Sequence, residues 1–210
     1  MIRECSAQEK PFSHLLDNTF APHSPAAPAV PPYLPPSSSC LLILPPPSIK
    51  VDATIVLVET VYIETTILSY LVSRPSRDII VAARQEITRD WWEFSMPSFD
   101  CVLSQVVLDE ISAGDPAHAV KRMDRASNLS ALAVNQSCVD LARLYLDRGY
   151  VPKNEIRDAL HIAVAVIWKV DYLLTWNCKH IANAHALRQL RKFSENQGHE
   201  FPQVCTPEGL

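Results

Sequence analysis

The chain has 210 residues, of which 48% are hydrophobic and 20% are charged, and its formal net charge is −4. These proportions are ordinary for a globular protein, and the acidic balance argues against a protein that binds nucleic acid through a general excess of basic residues. The acidic net charge is still compatible with a local basic face. The six cysteines are scattered without a Cys-x-x-Cys pair, which favours buried free thiols in a reducing compartment over a zinc site.

Residues 1–54 differ in composition from the rest of the chain. The first 50 residues hold eleven of the 17 prolines and no glycine. Proline removes a backbone donor and blocks helices and central strands, so a disordered extension is predicted here. No signal peptide is predicted, and the apolar run 40–44 is too short to span a membrane, so we expect a cytoplasmic protein without membrane contact. A second interpretation is that the functional protein begins further along the chain, near residues 56–61.

From residue 55 onward, strand-like and helix-like runs alternate, so residues 55–210 are assigned to one domain. β-Branched and aromatic runs predict strands at 55–63, 99–107, 129–134, 172–176 and 203–205. Helices are predicted between them at 67–72, 78–94, a short segment around 109–110 that ends at 114, a segment from 115, 137–148, 154–168 and 185–195. Such alternation predicts an α/β fold of three layers, with a parallel sheet between two helical layers.

Two of these helices carry more detailed predictions. In the helix that Asp78 is expected to cap, one apolar stripe is predicted to be buried: Ile80, Ala83, Ile87, Trp91 and Phe94. The helix that Asn154 is expected to cap is apolar nearly all round from 159 to 168, which predicts that it is buried.

Acidic and amide side chains follow the predicted strands. Glu64 ends the first strand, Glu110 lies one helical turn after the second, Asp158 opens the buried helix and Asn177 follows the fourth strand. Ligands of such sheets bind outside the carboxyl ends of the strands. Mg²⁺ and Mn²⁺ prefer oxygen ligands, so a cation at this edge would explain why an apolar strand ends on a carboxylate.

Four short segments in this order resemble the motifs of PIN-domain nucleases, the fold of VapC-type toxins. They are VYIETTILSYL at 61–71, SQVVLDEI at 104–111, DALHIAVA at 158–165 and LLTWN at 173–177. The resemblance covers roughly residues 58–207. It implies a PIN-like α/β/α domain.

The resemblance also implies roles for the acidic residues. Glu64, Glu110 and Asp158 would be the catalytic carboxylates that bind Mg²⁺ or Mn²⁺, with Asn177 as the fourth metal ligand. A first ion would activate water and polarise the scissile phosphate, and a second would steady the leaving oxygen. Two residues depart from the family pattern, since Glu64 and Asn177 both stand where aspartate is usual.

The function implied is that of a metal-dependent endoribonuclease, the toxin of a type II toxin–antitoxin system. Its partners would be an RNA substrate, a small cognate antitoxin and a second copy of the chain in a homodimer. Five side chains are candidates for contact with RNA: Thr65, Thr66, Arg74, Arg77 and Lys179. The alternative function is a non-catalytic PIN module that binds RNA or a protein, which the two departures and the acidic charge suggest.

Several of these residues also have a purely structural interpretation. His161, one turn after Asp158, is a candidate general base, but a satisfied core histidine is the preferred interpretation. Asn177 fits a metal ligand and a turn residue equally well. Trp91 is expected in the core rather than at an RNA surface, and exposed cations such as Arg74 are commonly solvated surface.

Overall fold

The computed structural model describes residues 58–210. The predicted disordered extension, the boundary between 54 and 55 and the first three residues of the predicted first strand lie outside this part of the chain. Within it, no helix is long and apolar enough to cross a membrane.

The described part contains strands and helices in the predicted alternation. The strands are β1 Thr60–Ile63, β2 Asp100–Ser104, β3 Ser130–Leu132, β4 Tyr172–Leu174 and β5 Gln203–Cys205. The α-helices are α1 Thr65–Val72, α2 Ile79–Asp90, α3 Gln105–Ile111, α4 Pro116–Ala126, α5 Gln136–Asp147, α6 Ile156–Ile167 and α7 Ala184–Asn196. A π-helical turn, Trp91–Ser95, continues α2, and short 3₁₀ turns occupy Met96–Ser98 and Pro207–Gly209.

The five strands form one parallel sheet in the order β3-β2-β1-β4-β5. The chain steps outward from β1 through β2 to β3, and then returns across the sheet to β4 and β5. Because parallel crossovers are right-handed, the connections in the two directions lie on opposite faces, with α1 to α4 on one face and α5 to α7 on the other. The predicted α/β fold with a central parallel sheet between helices is thereby confirmed.

Helix α6 forms the centre of one helical layer, as its all-round apolarity predicts. Every residue from 159 to 166 is buried, and the helix packs against α5 and β4. Full burial of each Val, Leu or Ile side chain stabilises the fold by about 1.5–3 kcal/mol. His161 is the one polar residue in this buried run, and its position requires hydrogen-bonding partners.

The predicted buried stripe of α2 is wrong at three of its five residues, since Ile80, Ala83 and Phe94 are exposed, and Ile87 is half-buried. Trp91 is buried, but Ile80 is 66% exposed and Phe94 is 72% exposed. The π-helical turn inserts an extra residue into the helical repeat, so it rotates Phe94 away from the face that holds Trp91. The helix instead buries the polar Gln85 and Thr88, which hydrogen-bond to neighbouring segments: Gln85 Nε2 donates to the Arg74 carbonyl over 3.0 Å.

Three helix starts also differ from the prediction, and the first is that of α1, which begins at Thr65 rather than at 67. The strand expected to reach 107 ends at Ser104, because Gln105 already begins α3. Asp78 caps α2 as predicted, with its carboxylate accepting from Ile80 N at 2.9 Å. Helix α6 begins after Glu155 rather than after Asn154, and Glu155 makes no side-chain capping bond.

Candidate metal centre

Glu64 lies between β1 and α1, where it caps the helix. Its side chain is 4% exposed. Oε2 accepts from the Thr66 amide at 3.1 Å, from the Thr66 hydroxyl and from Thr175 Oγ1 at 2.7 Å. The helix N-terminus favours a carboxylate at this position. However, Glu64 forms no ion pair with a lysine, arginine or histidine of the described part of the chain.

Glu110 projects from α3 toward Glu64. Its Oε2 accepts from the Thr65 hydroxyl and lies 3.1 Å from His161 Nε2, while Arg157 Nη1 is 3.7 Å from its Oε1. Burial by itself raises the pKa of Glu110. The hydrogen bond and charge of His161, together with Thr65 and Arg157, outweigh burial and lower the pKa of this carboxyl below its ordinary value.

His161 connects Glu110 to a buried chain of hydroxyls. Its side chain is 1% exposed, and its Nδ1 lies 2.8 Å from the Tyr62 hydroxyl, which in turn lies 2.6 Å from Ser104 Oγ. Burial alone lowers the pKa of His161, but the Glu110 hydrogen bond and the negative charges of Glu64, Glu110 and Asp158 raise it overall. The expectation of a satisfied core histidine is therefore right about its burial but incomplete, because its Nε2 contacts a predicted site carboxylate.

Glu64, Glu110 and His161 form the first group of candidate ligands. One ligand atom from each lies within 4.8 Å of the others. The three residues come from three different elements, since Glu64 follows β1, Glu110 belongs to α3 and His161 to α6. Parallel strands bring these segments together because their carboxyl ends meet at one edge of the sheet.

Asp158 belongs to a second group of candidate ligands, with Glu155 and His180. One ligand atom from each of these lies within 4.8 Å of the others, and His180 Nε2 is 3.6 Å from Glu155 Oε1. Burial raises the pKa of Asp158 above its ordinary value, although the Asn177 side chain and the charges of His161 and His180 act against it. The three predicted carboxylates thus divide between two adjoining groups.

Asn177 lies beside Asp158 at the start of a turn. Its Oδ1 accepts from the His180 amide at 3.1 Å, and its own amide donates to Thr175 Oγ1 at 2.9 Å. Asn177 is therefore a turn residue, as one of its two interpretations predicted. The same side chain interacts with Asp158, so Asn177 also orients a carboxylate of the second group.

The five RNA-binding candidates fall into two kinds. Thr65 and Thr66 are engaged inside the site, since each hydroxyl donates to a carboxylate, and Thr66 Oγ1 also accepts from the Trp176 amide at 2.8 Å. The three cationic candidates, Arg74, Arg77 and Lys179, are exposed. Contact of any of the five with RNA stays a prediction.

The donor atoms of the first group suit a divalent cation. A carboxylate as buried as Glu64 is normally paired or bound to a metal, because its desolvation is costly. Two carboxylates and one imidazole form a mixed oxygen and nitrogen set, which divalent ions such as Mn²⁺ accept. The residues present therefore fit a metal ion, with the carboxylates of Glu64 and Glu110 as ligands and the imidazole of His161 beside them.

Sequence reasoning missed several residues that complete the site. Tyr62 is two residues before Glu64, so the alternation of β1 places both on one face of the sheet, and this signal was available. His161 was predicted as a core histidine or a candidate general base and not as a ligand, although it follows Asp158 by three residues on the same side of α6. By contrast, no local pattern indicates that Glu155 and His180 meet, because a loop brings them together.

No protein-family model matches the chain, and no curated protein matches it. Among solved structures, the chain is similar to the one described as VapBC2 from Rickettsia felis bound to a DNA fragment from their promoter. The two share 14% identity over 70% of this chain and 98% of the other, with a TM-score of 0.41. That level of similarity does not assign the chain to a family.

Proposed function

We propose that this protein is a metal-dependent endoribonuclease that hydrolyses RNA phosphodiester bonds. The observation that carries the proposal is the convergence of Glu64, Glu110 and His161 at the carboxyl edge of the parallel sheet. Glu64 is buried there without an ion pair among the described residues, which a bound cation would explain. The four motifs that resemble PIN-domain nucleases support the same function.

The cofactor in this proposal is Mg²⁺ or Mn²⁺. Its carboxylate ligands are Glu64 and Glu110 from the first group and Asp158 from the second. When bound, such an ion supplies Lewis-acid activation of the scissile phosphate and of the attacking water. Asn177 offers an amide oxygen beside Asp158, so we place a second, weaker cation position there. The division of the carboxylates into two adjoining groups is compatible with this arrangement.

The contribution of the protein is to hold the carboxylates in place before the substrate arrives. Thr66 and Thr175 fix Oε2 of Glu64, and Thr65 fixes Oε2 of Glu110. Catalytic groups held this way lose little entropy on reaching the reactive geometry. In the hydrogen bonds made with described residues, Glu64 uses Oε2 alone, which leaves Oε1 for a cation.

Substrate binding in this proposal depends on three exposed cations. Lys179 follows Asn177 by two residues, while Arg74 and Arg77 follow the end of α1. Arginine and lysine contact phosphates without reading the base, so these residues would position the RNA and not select its sequence. Thr65 and Thr66 would orient carboxylates rather than contact RNA strongly.

The biological setting that the motifs suggest is a type II toxin–antitoxin system in the cytoplasm. The protein would act as the toxin, as a homodimer, and a small cognate antitoxin would cover the acidic site. Co-purification of the chain with the product of a neighbouring reading frame tests this part of the proposal independently of catalysis.

The decisive experiment is cleavage of a mixed RNA pool by the full chain with Mn²⁺, Mg²⁺ or EDTA. Glu110→Gln is compared with Asp109→Asn, since Asp109 is the exposed neighbour of Glu110 on α3. We expect cleavage that requires a metal, is lost in Glu110→Gln and survives in Asp109→Asn. Cleavage that persists in EDTA, or equal loss in both variants, would contradict the proposed site.

A non-catalytic RNA-binding or protein-binding module is the second candidate function. Glu64 and Asn177 depart from the usual aspartates, and this favours a site that has lost activity. A folded chain that retains RNA on a filter, cuts none of it and shows no change in melting temperature with Mn²⁺ would support this candidate.

A further inference from the structure

His161 has one ring nitrogen facing the candidate ligands and one facing away from them. Nε2 lies 3.1 Å from Glu110 Oε2, and Nδ1 lies 2.8 Å from the Tyr62 hydroxyl. The ring is 1% exposed and packs edge-on against Tyr62, with 5.9 Å between the ring centroids. This packing fixes which nitrogen is presented to Glu64 and Glu110.

The hydroxyls behind His161 provide an acceptor for the remaining ring proton. A metal-bound histidine nearly always donates its other ring N–H to an oxygen, which fixes the tautomer and the orientation of the ring. Here Nδ1–H can donate to the Tyr62 oxygen, and the Tyr62 hydroxyl can donate to Ser104 Oγ at 2.6 Å. In the structure Nε2 donates to the Glu110 carboxylate, because an ionised carboxylate can only accept. Once the Nε2 proton is lost, the buried chain holds the remaining proton on Nδ1, and the lone pair of Nε2 then lies on the side of the carboxylates.

The nitrogen donor of His161 gives the site different affinities for Mg²⁺ and Mn²⁺, which an all-oxygen site binds with similar affinity. Mg²⁺ is bound through carboxylate, phosphate and water oxygens, whereas Mn²⁺ also accepts an imidazole nitrogen and binds nitrogen-containing sites more tightly than Mg²⁺ does. Glu64 gives the site an independent requirement for positive charge, because it is 4% exposed and forms no ion pair among the described residues.

We propose that His161 is a metal ligand through Nε2, with Tyr62 as its hydrogen-bonded support, and that it makes the site prefer Mn²⁺ to Mg²⁺. This inference rests on the proposed function, since it concerns the cation of the same site. The ligands of the first group would then be one imidazole nitrogen and two carboxylates, in place of oxygen ligands alone. On binding, the Nε2 proton would be released to solvent, and the hydrogen bond from Nε2 to Glu110 Oε2 would be replaced by bonds from both atoms to the ion.

The direct test is pulsed electron paramagnetic resonance of the full chain loaded with one equivalent of Mn²⁺. Coupling of the electron spin to an imidazole nitrogen is expected, and it should change when the protein carries ¹⁵N-labelled histidine. The coupling should disappear in His161→Gln and persist in His180→Gln, whose histidine belongs to the second group. Absence of nitrogen coupling, or its loss in His180→Gln alone, would overturn the inference.

Calorimetric titration provides a readout that does not depend on activity or on spectroscopy. We expect His161→Gln to weaken Mn²⁺ binding by at least about tenfold, with a much smaller change for Mg²⁺, and Tyr62→Phe to weaken Mn²⁺ binding by about tenfold. Retained Mg²⁺ binding shows that a variant is folded. Equal losses for both ions would mean that His161 only positions Glu110.

The two proposals fail in different ways. If the wild-type chain binds neither ion, both the nuclease function and the assignment of His161 are wrong. If it binds Mn²⁺ and cuts RNA but shows no histidine coupling, the nuclease function stands and the ligand assignment fails.

Discussion

Glu110 and His161 are 51 positions apart in the chain, yet Oε2 of the first lies 3.1 Å from Nε2 of the second. The contact joins α3 on one face of the sheet to α6 on the other, at the edge where β1 ends. It is thus a direct bond between the two helical layers at the candidate site. The residues that hold it, Thr65 on one side and Tyr62 on the other, come from the segment around Glu64.

The Tyr62 hydroxyl is predicted to stabilise the fold as well as the site. Tyr62→Phe keeps the packing of the ring but leaves Ser104 Oγ and His161 Nδ1 without this buried partner. Unsatisfied buried polar groups cost about 1–3 kcal/mol, so the free energy of unfolding should fall by that amount. Urea titration of the metal-free protein measures it. Ser104→Ala in the same background should add little, and full additivity of the two changes would contradict the coupling.

Thr175 is predicted to support metal affinity. Its buried hydroxyl donates to Glu64 and accepts from the Asn177 amide, so it contacts two of the predicted metal ligands. Thr175→Val preserves the shape and should weaken Mn²⁺ binding by about 10- to 100-fold. Calorimetric titration measures the change. Ser127→Ala, at the exposed end of α4, is the control, and an equal effect there would contradict the prediction.

Tyr145 is predicted to make stability fall at alkaline pH. Burial raises its pKa to about 12, despite the hydrogen bond with Ser194, whereas an unfolded tyrosine titrates near pH ~10. A raised folded pKa contributes stability that is present below the unfolded pKa and is lost as the pH rises through the folded pKa. The free energy of unfolding should therefore decline between about pH 10 and about pH 12. Urea titration across this range should show a shallower decline for Tyr145→Phe, and an unchanged slope would contradict the prediction.

The described cysteines are predicted to react with alkylating agents at very different rates. Cys178 is exposed, whereas Cys101 and Cys138 are buried, and burial raises the pKa of Cys101 to about 12. The thiolate is the reactive form, so Cys178 should be alkylated first and Cys101 only when the protein unfolds. Peptide mass spectrometry after timed iodoacetamide treatment measures the order. Early labelling of Cys101 in the folded chain would contradict it.

Local sequence patterns were sufficient for the class of fold. The alternation of strand-like and helix-like runs predicted the parallel sheet, and the cap of α2 by Asp78 was recognised from a single residue followed by a helical pattern. These features depend on interactions within a few positions of the chain, where residue type is informative. The predicted burial of Phe94 failed because a π-helical turn, which has no clear local signature, shifted the repeat. That turn follows Ile80 and Ala83, so it does not account for their exposure.

The sequence by itself determined that carboxylates follow the ends of β1 and β2 and that they need compensation, since both properties depend on residue type and order. Only the tertiary structure decided which of them meet. Packing of α3 and α6 across the edge of the sheet placed His161 against Glu110, and the turn after β4 placed His180 with Glu155 and Asp158. The physical reason is that buried polar side chains must find hydrogen-bond partners. Which residues become those partners depends on how the helices pack, and the partners are often far apart in the sequence.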